Sequence, residues 1–427
     1  MLTYLLFPFY LITGILFFHW MVRRNGFPFS IYHTTAVILF KVFMGCLYGY
    51  IFLHYYGGDD TWEFFRKSEI QTNILLTHPK QFVTEILPWF SPSGAGLSQW
   101  DTLLLFVRKF EFWFMLKFLA VLNLFSGKNY YIDVLLFDLL TISGLFILFR
   151  MLSVRYAEKS GMYYLLIFFI PSITFWCSGI RAEALIILFI VLSLYNGKAY
   201  ALKPNWKNAT GIILALAGFL LFRIQYLIFF MPALIAFMIS WRKNQSGPVY
   251  YNRIYLAALL IFAISLLLPP AFQLSRPMIR SQQDFSVLQG NTRYALDSLQ
   301  PGPLSLLKVL PQAAANSILR PYPWEGKGML QSLSSVESIF LLAGLLFFVL
   351  SRPIKNKTPG ALLWLFLYYS IPQMLAIGFT VPFPGAIVRY RSIPFLFIFL
   401  FLFSANNILH AKLTKTLFPK TLNKFRM

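Results

Sequence analysis

Cysteine and histidine are scarce: two and five among 427 residues. Cys46 and Cys177 fall in or at the ends of apolar runs, so they define neither a disulfide framework nor a metal site. The histidines are scattered, with no H-x-x-x-H spacing, and no C-x-x-C occurs. No metal centre is expected from them. A Gly-rich phosphate loop is also missing, so nothing demands a nucleotide-sugar site. The chain shows no internal repeat, no low-complexity segment and no appended soluble domain.

Acidic residues are scarce as well: 15 Asp and Glu stand against 37 Lys and Arg, a net charge of +22. Such a surplus raises nucleic acid as a partner. The basic residues, however, sit mostly in short segments between apolar runs, which is the pattern of an orientation signal and of lipid-headgroup contact. Nucleic acid is not expected; membrane lipids are.

What the chain does have is apolar length. It is 58% hydrophobic and 19% aromatic, with 47 Phe and only 12% charged residues, and its mean hydropathy is +0.64. Repeated runs long enough to span a bilayer predict an all-α, polytopic transmembrane protein, read as a single integral-membrane domain over 1–427. The first run, 2–20, is followed rather than preceded by charge (Arg23-Arg24) and has no small-residue cleavage site, so it reads as a retained span. The other expected spans are 31–55, 131–152, 161–178, 184–196, 209–222, 225–241, 252–269, 335–350, 360–378 and 391–405, about eleven in all. Every loop this arrangement places inside is basic, and of the acids only Glu158 falls there. The N-terminus is then outside, and the basic tail 410–427 is cytoplasmic.

Two long loops fall on the outer face, 55–130 and 270–333. In the first, 61–76 and 79–89 look amphipathic, 91–96 is a turn-rich break, and 112–125 is shorter than a full span of about 20 residues. It either crosses or lies in the interface.

The first loop opens with Gly57-Gly58-Asp59-Asp60-Thr61-Trp62-Glu63. The glycines give a permissive exit from a helix. Asp59 and Asp60 are either solvated loop acids or a catalytic pair, with Asp59 the base and Asp60 the cap of the helix starting near Thr61 or a supporting acid. A divalent ion at Asp59/Asp60 is compatible with the pair but not required. Glu183 opens a span, where a helix N-terminus favours negative charge whether or not the residue is catalytic. Asp133 and Asp138 lie in the outer half of a span, where acids either support a site or pack against a basic group of another helix. Glu325 lies in the second loop, in Arg320-Pro321-Tyr322-Pro323-Trp324-Glu325. Outer-face arginines break the positive-inside pattern: Arg181, Arg223, Arg276, Arg280, Arg320, Arg389 and Arg391. Arginine suits phosphate oxygens, so Arg389, Arg391, Arg223, Arg181 and Arg320 are expected to hold a phosphate, with Tyr390 in support.

An acidic motif in the first large outer loop resembles the GT-C superfamily of integral-membrane glycosyltransferases, in the manner of protein mannosyltransferases and aminoarabinose transferases. Pro171-Ser172 with Ser178-Gly179-Ile180-Arg181-Ala182-Glu183-Ala184-Leu185 is similar to that family's helix-turn-acid segment. The strings 320–325 and Val388-Arg389-Tyr390-Arg391 look like those of bacterial envelope-polysaccharide membrane proteins. The resemblance covers about 55–400 and implies a carboxylate base in the loop, a polyprenyl-phosphate-linked sugar as donor and a glycan or glycolipid acceptor. It also implies a site on the periplasmic face of the bacterial cytoplasmic membrane. The N-terminal span before Arg23-Arg24 and the lack of a large C-terminal outer domain depart from that pattern and leave the acceptor open. Two other readings remain: an O-antigen-type polymerase or ligase relying on outer-loop arginines, and a lipid-linked-glycan transporter.

Overall fold

The computed structural model describes residues 2–85, 99–288, 293–325, 328–350, 359–405 and 410–418. Among these residues the structure is helical, with no strand. The break at 91–96, the inner loop 352–357 and most of the basic tail lie outside the described residues.

In chain order the helices are α1 (Leu2–Arg24), α2 (Ile31–His54), α3 (Asp60–Thr77), α4 (Pro79–Thr84), α5 (Gln99–Ser126) and α6 (Tyr130–Arg155). Then come α7 (Ser160–Phe169), α8 (Pro171–Trp176), α9 (Ala182–Leu202), α10 (Trp206–Phe222), α11 (Ile224–Arg242) and α12 (Val249–Ser265). The last six are α13 (Arg276–Val287), α14 (Pro303–Ile318), α15 (Met329–Leu350), α16 (Ala361–Thr380), α17 (Pro384–Ala405) and α18 (His410–Leu417). Among the described residues, six segments are long and apolar enough to cross a bilayer: Leu5–Arg24, Ile31–His54, Tyr130–Arg155, Ala182–Leu202, Ala361–Thr380 and Pro384–Ala405. On that ground the chain is a helical membrane protein. Four shorter apolar segments, Trp206–Phe222, Tyr226–Arg242, Val249–Ser265 and Gln331–Leu346, fall below that length.

The chain forms two compact units. The first comprises 1–193, 213–224 and 414–427; the second comprises 194–212 and 225–413.

In the first unit α6 is the central helix, packed by α1, α2, α5 and α7, and most of it is buried, whereas α1 is largely exposed. Its start is set by local chemistry. Asn129 caps α6, with Oδ1 accepting from Tyr131 N at 3.0 Å and Ile132 N at 3.2 Å. Ser30 caps α2 in a capping box with His33. The expected span 161–178 is not one helix. Pro171 has no N–H and pushes Ile170 into extended backbone, which ends α7 and starts the six-residue α8. The next five residues, 177–181, are irregular and buried. Helix α5 runs unbroken through 112–125 and packs on the amphipathic α3.

In the second unit α16 and α17 pack on each other, α16 also meets α12, α13 and α14, and α17 also meets α15. Gly378 lets α16 meet α14 backbone to backbone: a Cβ there would overlap the Ala313 carbonyl.

Candidate functional site

The acidic motif sits where α2 ends and α3 begins. Gly57 and Gly58 both have positive φ (+74° and +118°), a conformation open to glycine, and they turn the chain off α2. Asp59 then adopts extended backbone and caps α3. The cap is therefore Asp59, not Asp60 as expected, and Asp60 is the exposed first residue of the helix. Backbone conformation decides this, because a capping side chain must leave a residue that is not yet helical.

The Asp59 carboxylate accepts hydrogen bonds from five donors. Oδ1 takes Thr61 N (3.1 Å), Thr61 Oγ1 (2.7 Å) and Trp62 N (3.4 Å); Oδ2 takes the Tyr48 hydroxyl and Arg181 Nη1, the latter at 3.0 Å. Arg181 also donates to the Tyr48 hydroxyl, so arginine, tyrosine and aspartate close a triangle. The Arg181 Nε lies 3.5 Å from Glu183 Oε2, and its guanidinium lies over Tyr48 (4.9 Å) and Trp176 (5.8 Å). Arg181 and Glu183 are only 2% and 1% exposed. The Arg181 Nη2 has no hydrogen-bond partner, which leaves a buried cation with half of its fork unused. Arg181 immediately precedes α9, whose positive end therefore points to the same corner.

A wall of aromatic side chains fixes this corner. The Thr61 hydroxyl is 2.8 Å from the Tyr130 hydroxyl, and Trp62 stacks on Tyr130 at 3.7 Å. The Trp62 Nε1 donates to the Gly49 carbonyl at 2.9 Å.

About 12 Å deeper, eight residues along α6 at 1.5 Å each, lies a second polar layer. Lys41 Nζ and Asp138 Oδ1 are 3.1 Å apart with both side chains almost wholly buried. Lys41 also donates to the Cys177 carbonyl (2.5 Å), and Asp138 Oδ1 accepts from Gly179 N (3.0 Å). Non-helical backbone is tolerated at such depth only when its polar groups are met by protein; here the ion pair meets them. Gly179 has φ +72° and packs on Gly45, where a Cβ would strike both Asp138 and the Gly179 amide. The pair therefore fixes the segment 177–181 and with it the position of Arg181.

Of the residues picked from the sequence, Asp59, Asp60, Arg181 and Glu183 come together, and Asp138 supports them from below. Asp133 is buried on α6 near Ser126. Arg223, between α10 and α11, pairs with Glu111 of α5 at 3.4 Å.

Arg320, Glu325, Arg389, Tyr390 and Arg391 belong to the second unit. Arg391 is fully buried. It donates to the Ser317 carbonyl (3.1 Å), the Arg320 carbonyl (2.5 Å), Ser334 Oγ (3.2 Å) and Ser338 Oγ (2.7 Å). It caps the end of α14 and does not present its fork for a phosphate. Arg320 stacks over Tyr294 at 3.9 Å, with its Nε 3.6 Å from Glu325. Burial, then the Glu325 carboxylate, push the Tyr294 phenol upward. The Arg389 guanidinium lies over the Tyr390 ring at 5.5 Å, and the Tyr390 carbonyl accepts from Tyr226.

Sequence reasoning passed over Tyr48, Thr61, Trp62 and Tyr130, which carry no signal of their own in so aromatic a chain. Lys41 did carry one, as a charge in mid-span. Among the described residues no group of three or more His, Cys, Asp or Glu could hold a metal ion. No family model matches the chain, no curated protein matches its sequence, and no solved structure matches its fold.

Proposed function

We propose that the chain is a membrane glycosyltransferase that moves a sugar from a polyprenyl-phosphate carrier to a hydroxyl of an envelope glycan or lipid. The observation that carries this reading is Arg181: a buried guanidinium clamped to Asp59 and Tyr48, with Nη2 lacking a partner; Asp59 is followed in the chain by the exposed Asp60. A half-used guanidinium at the positive end of a helix is suited to phosphate oxygens.

The acceptor oxygen attacks the anomeric carbon and the bond from that carbon to the phosphate oxygen breaks. Its electron pair goes to the phosphate, where Arg181 stabilises the charge. The acceptor proton goes to Asp60. Asp59 is a poor candidate for that role because five donors already surround its carboxylate, which has about four lone-pair positions. A single displacement inverts the anomeric centre.

The GT-C likeness supplies the reaction class. Eleven spans require that, besides the six long helices, the four shorter apolar helices and the interrupted α7–α8 pair also cross. The charge bias of the loops supports an orientation with the corner outside and the C-terminus inside, and the GT-C reading takes the membrane to be a bacterial cytoplasmic membrane.

The polymerase or ligase reading leans on Arg389 and Arg391, and the engagement of Arg391 by its own chain removes one of them. The transporter reading would draw on charges deep in the bundle, but the Lys41–Asp138 pair is accounted for by the backbone it holds.

The test is a mass profile of envelope glycans and glycolipids from wild type, a deletion strain and an Asp60→Asn strain. Loss of one defined sugar in both altered strains supports the transferase. Shortened chains of unchanged composition in the deletion strain, with a wild-type profile for Asp60→Asn, overturn it in favour of a polymerase.

A further inference from the structure

The second unit carries an open groove of about 570 Å³ along α13. Its polar lining includes Arg276 and Arg280, one helical turn apart, with Gln283 on the next turn. Pro270, Ile279 and Pro301 supply apolar surface. Asp284 is the single acid of the lining, so two guanidinia stand against one carboxylate.

The groove is a built feature. Gln282, on the opposite side of α13, donates to the Asp297 carbonyl (3.1 Å) and the Phe379 carbonyl (2.9 Å) and accepts from Leu299 N (2.8 Å). Gln273 donates to the carbonyls of Leu266 (3.2 Å) and Leu268 (2.9 Å). Met278 and Ile279 pack into the cluster formed by Leu299, Leu306, Val309 and Phe379. Helix α13 is thus held from behind, with its arginine face on the groove.

The surroundings are apolar. Leu267 and Phe272 are 79% and 71% exposed, and Leu274 and Val287 are exposed too. In a membrane protein, surface of that kind is where acyl chains lie. A positively biased groove large enough for a lipid headgroup, beside acyl-facing side chains, matches an amphiphile with one anionic phosphate in its head.

We propose that this groove binds the headgroup of an anionic phospholipid, with its phosphate on Arg276 and Arg280 and its acyl chains on the side of Phe272 and Leu274. The site does not depend on the transferase reading. The excess of one positive charge favours a lipid of net charge −1 over a zwitterionic one.

The full chain, purified in detergent, is titrated with phosphatidylglycerol or phosphatidylcholine and the bound lipid is read by native mass spectrometry. The wild type retains phosphatidylglycerol about tenfold better than phosphatidylcholine, and inorganic phosphate does not displace it. Arg276→Gln/Arg280→Gln abolishes the preference with an unchanged melting temperature. Asp284→Asn strengthens the preference and gives an independent reading if the double variant fails to fold. An undiminished preference in the double variant, a weaker preference in Asp284→Asn, or displacement of the lipid by equimolar phosphate overturns the proposal. The last outcome would mark a site for a soluble anion.

Discussion

Lys41 of α2 and Asp138 of α6 face each other at 3.1 Å inside the first unit, and the same two side chains hold the Cys177 carbonyl and the Gly179 amide. The chain between α8 and α9 is thereby pinned from below, while Arg181, two residues past Gly179, reaches Asp59 above. A charge pair buried to this extent is judged by what happens when one partner is removed. Lys41→Met leaves Asp138 an uncompensated buried carboxylate and is expected to cost about 3–5 kcal/mol. Lys41→Met/Asp138→Leu is expected to cost clearly less than the two single changes added together. Thermal unfolding in detergent for the four proteins of the cycle measures this coupling.

The Tyr48 hydroxyl bridges Arg181 and Asp59. Tyr48→Phe keeps the ring under the guanidinium but removes the bridge, and is expected to lower stability by about 1–3 kcal/mol. Arg181→Lys keeps the charge but not the planar fork. The account predicts a milder loss of stability for Arg181→Lys than for Arg181→Ala, with transfer reduced by about 10²–10³ in both. Melting temperatures set beside the glycan profile separate the two effects: a lysine variant with normal glycans would remove Arg181 from the chemistry.

The two aspartates are expected to differ in kind. Asp59→Asn weakens a cap and an ion pair together, so the fold of the first unit loosens as well as the activity. A lost cap alone costs about 1 kcal/mol. Asp60→Asn alters an exposed side chain and is expected to leave the stability within about 0.5 kcal/mol of wild type. Equal destabilisation by both changes would show that the capping geometry is wrong.

In the second unit, Gly378→Ala places a methyl group against the Ala313 carbonyl. Helices α14 and α16 then have to move apart, an overpacking cost of about 1–3 kcal/mol. Gly385→Ala, where a Cβ meets nothing within 4 Å, is the matched control and is expected to be nearly neutral.

Much of this architecture was legible in the residue order. Apolar length marked the six long helices, because a bilayer imposes that length directly, while five other expected spans form shorter or broken helices. The Gly57-Gly58-Asp59-Asp60 turn and the Arg181/Glu183 pair stood out because charge is scarce in this chain. Which aspartate caps α3 was not legible, since either could do so by type and only the extended backbone of Asp59 decides. Tyr48 is one of 23 tyrosines, and its role depends on a contact across 133 positions of chain. Arg391 looked like a phosphate ligand because burial cannot be seen in a sequence; its partners, Ser317, Arg320, Ser334 and Ser338, meet it only once α14, α15 and α17 pack together. Pro171 did announce the break between α7 and α8, but a hydropathy average smooths across it.

The central claim is that the corner of Asp59, Asp60 and Arg181 transfers a sugar from a lipid phosphate. Its most direct test is lipid mass spectrometry of the polyprenyl-phosphate pool in a deletion strain complemented with wild type or with Asp60→Asn at equal protein level. The account predicts that a polyprenyl-phosphate-linked sugar accumulates with the Asp60→Asn protein while the same sugar disappears from the envelope glycan. A lipid pool and glycan identical to wild type would contradict it.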